Sequence, residues 1–212
     1  QGAVATSEYW IELLNLAEQY DFTIFADECY SEIYRDQAPY GALEALNKIK
    51  ANPERLVVFH SLSKRSNLPG LRSGFLATGP ENLKRLSQLK SYGGAPLPKP
   101  LQHAAAAVWR DEEHVKENRK LYAAKYKLSD DILSGLAGYS SPEAGFFLWI
   151  KVGDSEKTTL DLWRETGVRV LPGAYLAQEK NGRNPGQDFI RVALVAQQNV
   201  TGEALTKIRS FL

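Results

Sequence analysis

The sequence predicts an α/β fold followed by a smaller α+β unit. Two short apolar runs, residues 22–26 and 56–60, each follow a stretch with helical spacing of apolar residues. Strands that alternate with helices are typical of a mostly parallel sheet with helices on its faces. From residue 135 onward, shorter strand-like runs and turn residues predict a compact unit of mixed strands and helices.

The first helix is predicted to begin at Thr6 and Ser7, because both are good N-cap residues and apolar residues then recur at helical spacing to about residue 20. The continuous apolar run 22–26 predicts a strand that is buried on both faces. The next predicted elements are a helix-rich segment at about 40–50 and strands at 56–60 and 74–78.

Proline and glycine separate the elements of the second half. A long helix is predicted from Asp111, which suits an N-cap, to about residue 134, with Val115, Tyr122, Tyr126 and Leu133 on one face. Other predicted helices cover 81–92, 103–109, 158–166 and the segment from 201; predicted strands cover 138–141, 146–152, 168–171 and 189–195. We expect three parts, residues 1–95, 96–134 and 135–212.

The composition is that of a soluble globular protein, with 43% hydrophobic and 24% charged residues among 212. A net charge of +1 implies no general attraction to nucleic acid, and no apolar run is long enough to span a bilayer. The single cysteine, Cys29, fits a reducing compartment, so a cytoplasmic location is expected. Because the chain begins at Gln1 and contains no methionine, we interpret it as the C-terminal part of a longer protein.

The loop that follows the strand at 56–60 contains the residues that point most clearly to a chemical function. Lys64 follows the strand at 56–60 and is flanked by the hydroxyls of Ser61 and Ser63, with Arg72 eight residues later. A lysine amine can condense with an aldehyde, and hydroxyls with a guanidinium are suitable donors to a phosphate. This combination indicates pyridoxal 5'-phosphate. Asp27 ends a neighbouring strand, and ligands of α/β sheets bind beyond the carboxyl ends of the strands.

The stretch from Ser61 to Gly74, with Asp27-Glu28-Cys29-Tyr30 upstream, closely resembles class I/II aminotransferases of pyridoxal-phosphate fold type I. The resemblance covers the whole chain and is greatest to the succinyldiaminopimelate aminotransferase branch. It implies that the first part belongs to the large-domain sheet of that fold and that the last part is its small C-terminal domain.

The resemblance also implies the roles of individual residues. Lys64 matches the lysine that binds the cofactor aldehyde as a Schiff base and moves the substrate proton. Asp27 matches the acid that pairs with the pyridinium nitrogen, and Tyr30 matches the phenol that bonds the ring oxygen. Ser61, Ser63 and Arg72 match phosphate ligands, and Arg191 matches the guanidinium that binds the substrate carboxylate.

Each of these residues has a structural alternative. Lys64 could be a solvated loop lysine, Tyr30 could pack in the core, and Arg191 could form a structural salt bridge. Ser63 and Arg72 could be ordinary loop donors, and Asp27 could cap the turn after its strand. Glu28 fits such a capping role better than a catalytic one. The sequence indicates no lowered pKa for the Cys29 thiol, and its histidines lack the spacing of a metal site.

The function expected from the resemblance is transfer of an amino group between an amino acid and a 2-oxo acid, with N-succinyl-diaminopimelate and glutamate as the candidate pair, in lysine biosynthesis. The intact protein is expected to be a homodimer. Two alternatives stay open: an aminotransferase-like effector domain of a transcription regulator, and a pyridoxal-phosphate-dependent lyase. The rest of the family's cofactor pocket would lie upstream, so we expect the 212 residues alone to bind the cofactor poorly, to be inactive, and to associate through an unpaired sheet edge.

Overall fold

The computed structural model of the protein describes residues 1–94 and 96–212. It contains two compact units: an N-terminal unit, Val4–Arg119, and a C-terminal unit, which comprises Gln1–Ala3 and Lys120–Leu212. The predicted domain boundary at residue 95 lies outside the described residues, and the predicted boundary at residues 134 and 135 stays a prediction. No helix within the described residues combines the length and the apolar character needed to cross a membrane.

The N-terminal unit alternates helices and strands, as the sequence predicts. Its elements are α1 (Ser7–Gln19), β1 (Ile24–Asp27), α2 (Ala42–Ile49), β2 (Leu56–Ser61), α3 (Leu62–Arg65), β3 (Gly74–Thr78), α4 (Pro80–Gly93) and α5 (Lys99–Arg110). Helix α6 (Glu113–Leu133) begins in this unit and continues into the C-terminal unit. The predicted N-cap of α1 is confirmed, since the Thr6 hydroxyl accepts a hydrogen bond from the Tyr9 amide at 3.2 Å.

The sheet of the N-terminal unit has the order β1-β2-β3. Strands β1 and β2 are parallel, with Asp27 beside Phe59, whereas β3 is antiparallel to β2, with Gly74 opposite Ser61. Helices α1 and α2 cover one face of this sheet through a shared core. The members of that core are Leu14, Ala17, Ile24, Ala26, Ala42, Ala45, Leu46, Leu56 and Val58.

The prediction that residues 22–26 form a strand buried on both faces is wrong. Strand β1 begins at Ile24, and its burial alternates along the strand. Ile24 and Ala26 are buried in the core under α1 and α2, whereas the side chain of Phe25 is 66% exposed. Only one face of β1 is therefore covered by described residues, and Asp27 shares the open face with Phe25 because side chains two apart on a strand point the same way.

The C-terminal unit is built on an antiparallel sheet with the order β4-β6-β5. Its strands are β4 (Phe147–Lys151), β5 (Leu171–Pro172) and β6 (Phe189–Ala193), and its own helices are α7 (Ser155–Thr166) and α8 (Gln198–Phe211). The Asp154 carboxylate caps α7 by accepting a hydrogen bond from the Lys157 amide at 3.0 Å. The residues with no exposed surface in this unit include Leu148, Ile150, Leu162, Ile190, Leu194, Leu205 and Ile208.

Two strand predictions in this unit need correction. Residues 138–141 do not form a strand: Gly138 lies in a turn with a left-handed backbone (φ 85°), and its carbonyl accepts a hydrogen bond from the Lys151 amide. The predicted strand 168–171 is shorter than expected, since only Leu171 and Pro172 pair with β6. The four residues on the predicted face of the long helix are buried, as expected.

Candidate functional site

The Lys64 segment begins where strand β2 ends. Ser61 is the last residue of β2 and the N-cap of α3, and its Oγ accepts a hydrogen bond from the Ser63 amide at 3.1 Å. The Ser61 hydroxyl also donates to Ser63 Oγ at 2.9 Å, and Leu62 between them is fully buried. The two serines are thus held together by their own hydrogen bond, and Lys64 follows in a one-turn helix whose first residue is anchored in the core.

The chain returns to this point at the start of β3. The Leu62 amide donates to the carbonyl of Ser73 at 3.1 Å, and Ser61 Oγ approaches the same carbonyl at 3.3 Å. Arg72, the preceding residue, is exposed, has a left-handed backbone (φ 54°), and donates from Nη1 to the Pro69 carbonyl at 2.9 Å. The predicted phosphate ligands therefore lie on two chain segments that contact each other.

Asp27 lies at the end of the neighbouring strand β1. Its carboxylate is exposed, and Oδ1 accepts a hydrogen bond from the Cys29 amide at 3.1 Å. This bond is the turn cap that the sequence allowed as an alternative role for Asp27. One carboxylate oxygen makes this bond, and the exposed side chain also presents a charge to solvent, so capping and cofactor binding are compatible.

Cys29 is a poor nucleophile in this setting. Burial, a hydrogen bond to Asp27 and the negative charge of Asp27 together raise the pKa of its thiol to about 12. The Sγ atom also lies 3.9 Å from the Phe59 carbonyl. This agrees with the prediction that the thiol has no lowered pKa.

Glu28 has a structural role, as expected, although it caps a helix rather than a turn. Its Oε1 accepts a hydrogen bond from the Ala42 amide, in the first turn of α2, at 2.7 Å. Its Oε2 lies 3.4 Å from Nε2 of His60. Both carboxylate oxygens are therefore occupied by contacts inside the N-terminal unit.

Tyr30 does not pack in the core, because 40% of its surface is exposed. It follows β1 by three residues, and its backbone carbonyl accepts a hydrogen bond from the Ile33 amide at 3.0 Å. Ile33 itself is fully buried and anchors this turn. The alternative interpretation of Tyr30 as a core residue is therefore wrong.

Arg191 belongs to the C-terminal unit. It lies in the middle of β6, between Trp149 of β4 and Leu171 of β5. Its guanidinium carbon lies 4.5 Å from the ring centre of Phe147 and 5.0 Å from that of Phe146. Its Nε is buried and has no hydrogen-bond partner among the described residues. Aromatic rings flank this cation, and no carboxylate among the described residues forms an ion pair with it. One buried donor, Nε, is therefore left for a ligand.

The sequence patterns missed the residues that anchor the Lys64 segment. The guanidinium of Arg65 is buried, forms an ion pair with Glu112, and lies 5.0 Å from the ring centre of Trp109. His114 and Asn118 bond to Ser66 and Asn67, respectively. One local sequence signal could have pointed to His114, namely its position three residues after Asp111 at the start of a helix. In the structure Asp111 Oδ2 and His114 Nδ1 lie 2.9 Å apart.

The donor set of the N-terminal unit fits pyridoxal 5'-phosphate. Two adjacent hydroxyls and a guanidinium suit a phosphate, a carboxylate suits a protonated pyridine nitrogen, and a primary amine suits an aldehyde. Within residues 1–94 and 96–212, no group of three or more His, Cys, Asp or Glu side chains could hold a metal ion.

Comparison with known proteins points to a single family. The pattern of the family "Aminotransferase class I and II" matches residues 1–208. The curated 4-dedimethylamino-4-oxo-anhydrotetracycline transaminase OxyQ of Streptomyces rimosus is 29% identical over 98% of the chain and 56% of its own length. The LL-diaminopimelate aminotransferase of Maridesulfovibrio salexigens is 28% identical over 98% of the chain and 53% of its own length.

Solved structures agree with these relatives. An aminotransferase from Neisseria meningitidis matches with a TM-score of 0.93 and 40% identity, over 98% of this chain and 54% of that one. A Thermus thermophilus protein, named a probable N-succinyldiaminopimelate aminotransferase, matches with a TM-score of 0.84 and 29% identity, over 99% of this chain and 55% of that one. The chain thus spans about half the length of the proteins that it matches.

Proposed function

This chain belongs to the class I and II aminotransferase family, and from that membership we propose that the intact protein transfers an amino group between an amino acid and a 2-oxo acid. Members of the family depend on pyridoxal 5'-phosphate, which is the cofactor that the sequence predicts. The observation that supports the proposal most is the position of Lys64, three residues after the end of β2 and next in sequence to the hydrogen-bonded pair Ser61 and Ser63. Asp27 lies at the end of β1, the strand that runs parallel to β2.

Six residues of the N-terminal unit would hold the cofactor. When bound, pyridoxal 5'-phosphate supplies a ring that takes up the electron pair released when the Cα–H bond of an amino acid breaks. Ser61, Ser63 and Arg72 would donate hydrogen bonds to its phosphate, and Tyr30 would donate one to its ring oxygen. The Asp27 carboxylate would keep the ring nitrogen protonated, because a nearby negative charge favours the charged form.

Lys64 has two tasks in this proposal. Its amine would hold the aldehyde of the cofactor, and it would also take the proton from the substrate Cα and return it during the reaction. A primary amine on a flexible four-carbon stem suits both tasks, since it can act as a nucleophile and as a base at the same carbon. Lys64 is the third residue of α3, whose first residue, Leu62, is buried in the core.

Arg191 would bind the α-carboxylate of the substrate. A guanidinium binds a carboxylate through two parallel hydrogen bonds, which fixes the orientation of the amino acid as well as its position. The buried Nε of Arg191, which lacks a partner among the described residues, supports this assignment. The flanking rings of Phe146 and Phe147 lower the local polarity and strengthen such an ion pair.

For the substrate we propose N-succinyl-diaminopimelate with glutamate as amino donor, in a homodimer and in lysine biosynthesis. The resemblance of the Lys64 and Arg191 segments to that branch supports the proposal. Relatives named for diaminopimelate compounds, from Maridesulfovibrio salexigens and Thermus thermophilus, point to the same class of substrate. The transaminase OxyQ, in contrast, is named for a different substrate, 4-dedimethylamino-4-oxo-anhydrotetracycline.

A single-turnover experiment on the intact protein tests the proposed reaction. The protein loaded with pyridoxal 5'-phosphate is mixed with glutamate in the absence of any 2-oxo acid. We expect one equivalent of 2-oxoglutarate and conversion of the cofactor to its pyridoxamine form. In a parallel reaction the loaded protein is mixed with serine or cysteine instead of glutamate. Release of pyruvate and ammonia in that reaction would identify a lyase. A bound cofactor that reacts with none of these three amino acids would favour an effector domain.

A further inference from the structure

Helix α3 needs anchors outside itself. It has four residues, Leu62–Arg65, so its only complete helical turn is closed by the Ser66 amide on the Leu62 carbonyl. A single turn costs more conformational entropy than its one hydrogen bond recovers. The direction of the Lys64 side chain must therefore be set by side chains from other elements.

Four consecutive residues, Lys64 to Asn67, each bond to a side chain at the start of α6 or just before it. These bonds join Lys64 O to Asn118 Nδ2 (3.5 Å), Arg65 Nη2 to Glu112 Oε1, Ser66 Oγ to His114 Nε2 (2.8 Å), and Asn67 Nδ2 to Asn118 Oδ1 (2.7 Å). We call Glu112, His114 and Asn118 the anchor residues. They are 47 to 54 residues from their partners in sequence.

Asn118 is the central anchor residue. Its side chain is buried, and both polar atoms of its amide form hydrogen bonds: Oδ1 accepts one from Asn67 Nδ2, and Nδ2 donates one to the Lys64 carbonyl. Asn67 has a left-handed backbone (φ 51°), a conformation that side-chain-bearing residues adopt at a cost. The hydrogen bond to Asn118 helps to offset that cost, so Asn118 stabilises the sharp change of direction three residues after Lys64.

His114 and Glu112 anchor the two residues between. The His114 ring bridges Ser66 Oγ on one side and the Asp111 carboxylate on the other, at 2.8 Å and 2.9 Å. Glu112 pairs with the buried Arg65 guanidinium, which also donates to the Val108 carbonyl at 3.3 Å. A buried cation requires such partners, so Arg65 is held in place by the end of α5 and the residues before α6.

We propose that the anchor residues Glu112, His114 and Asn118 are positioning residues that set the direction of the Lys64 amine. This inference rests on the proposed role of Lys64 as the residue that binds the cofactor. The anchor residues do not touch the cofactor; they hold the backbone from which the lysine side chain extends. Misplacement of a reacting group by about 1 Å can cost about a hundredfold in rate, so such anchoring has consequences for catalysis.

The test compares Asn118→Ala with Asn82→Ala in the intact protein. Asn82 is a matched control, because it also lies in a helix of the N-terminal unit and donates from Nδ2 to a backbone carbonyl, that of Glu54, at 2.8 Å. In the cofactor-free protein we expect Asn118→Ala to accelerate hydrogen exchange at the amides of Ser66 and Leu68, which both bond the Leu62 carbonyl. Asn82→Ala should leave both exchange rates unchanged.

The loaded protein provides the readouts that separate positioning from general stability. We expect Asn118→Ala to shift the pH midpoint at which the visible absorbance of the bound cofactor changes, and to lower kcat about tenfold to a hundredfold. KM for glutamate should change by less than about threefold, because the substitution removes no contact that binds the substrate equally in the ground state and in the transition state. Asn82→Ala should alter neither the pH midpoint nor kcat.

A second pair of variants covers the case in which Asn118→Ala does not fold. His114→Ala removes the bond to Ser66 from a side chain that is already 31% exposed, whereas His114→Gln retains a donor that can reach the same hydroxyl. We expect His114→Ala to shift the pH midpoint of the cofactor absorbance in the same way as Asn118→Ala. We expect His114→Gln to have the pH midpoint of the wild type. Equal behaviour of both histidine variants and the wild type would overturn the inference.

The outcomes distinguish this inference from the proposed function. If wild-type protein carries no cofactor on Lys64, the proposed function fails and this inference fails with it. If Lys64 carries the cofactor normally but Asn118→Ala changes neither amide exchange nor the spectrum, only this inference fails.

Discussion

Asp27 is the direct neighbour of Phe59 in the parallel pairing of β1 and β2. Two residues after Phe59, β2 ends at Ser61, and Lys64 follows three residues later. The carboxyl ends of parallel strands meet at one edge of the sheet, so this register brings the acid and the amine to the same edge. The proposed cofactor site depends on this relationship more than on any other.

Gly74→Ala should disturb the site through the backbone. A Cβ at Gly74 would lie 2.5 Å from the His60 carbonyl oxygen, a backbone atom of β2 that cannot move aside cheaply. We expect the free energy of unfolding to fall by about 1–3 kcal/mol, as in other overpacked sites. Thermal unfolding of the intact protein measures this change.

Gly93→Ala is the matched control for that prediction. Gly93 is the last residue of α4, and among the described residues, apart from its chain neighbours and the backbone of its own helix, no atom lies within 4 Å of its added Cβ. Because alanine favours helix more than glycine, the control should be neutral or stabilising by up to about 1 kcal/mol. Equal loss of stability in both variants would contradict the steric argument.

The Cys29 thiol should react slowly with iodoacetamide. With its pKa raised from 9.0 to about 12, mainly by burial and then by Asp27, its thiolate fraction at pH 8 is about a thousandfold lower than that of an ordinary cysteine. Alkylation rates between pH 7 and pH 10 test this. A rate equal to that of a free thiol peptide would contradict the assigned environment.

The same shift has a consequence for stability, and its sign follows from proton binding. Between the ordinary pKa of 9.0 and the raised value of about 12, the unfolded chain releases the thiol proton while the folded chain keeps it. The stability contributed by the protonated thiol is therefore fully present below pH 9 and is lost as the pH rises through the raised pKa. Urea unfolding at pH 8 and pH 11, compared in wild type and Cys29→Ser, measures this contribution.

Arg191→Lys should weaken the use of carboxylate substrates. A lysine keeps the charge but loses the two-pronged geometry and the buried Nε donor. We expect kcat/KM for glutamate to fall about 10- to 100-fold in the intact protein. Arg164→Lys, on an exposed face of α7, is the control and should change kcat/KM by less than about twofold.

The 212 residues expressed alone should associate and bind the cofactor poorly. In the part of the chain that the structure describes, β1 and β3 each pair only with β2, so each has an unpaired edge. Phe25 and Phe75 are 66% and 48% exposed on these two strands. Exposed strand edges beside apolar side chains promote association. Light scattering measures association, and a monomeric chain with a stoichiometric yellow cofactor complex would contradict this prediction.

Local signals predicted most of the elements. The hydroxyl of Thr6, the helical spacing of apolar residues and the glycines and prolines between elements act within a few residues, so sequence alone reveals them. Strand β3 has the predicted bounds, residues 74–78, for the same reason. The motif around Lys64 is also local, and the structure shows Ser61 and Ser63 bonded to each other at its start.

The errors arose where distant parts of the chain decide the outcome. An apolar run shows that a strand can be buried, but not whether both of its faces are covered, and Phe25 is exposed for this reason. Asn118 lies 51 residues from Asn67, and no local pattern indicates that these two side chains meet.

The most direct test of the account identifies the lysine that the cofactor occupies. The intact protein is incubated with pyridoxal 5'-phosphate, reduced with borohydride, digested and analysed by mass spectrometry, with Lys64→Arg and the exposed-helix variant Lys90→Arg in parallel. We predict one pyridoxyl group per chain on Lys64, the same result in Lys90→Arg, and none in Lys64→Arg. Stoichiometric modification of any other lysine, or unaltered modification in Lys64→Arg, would contradict the account.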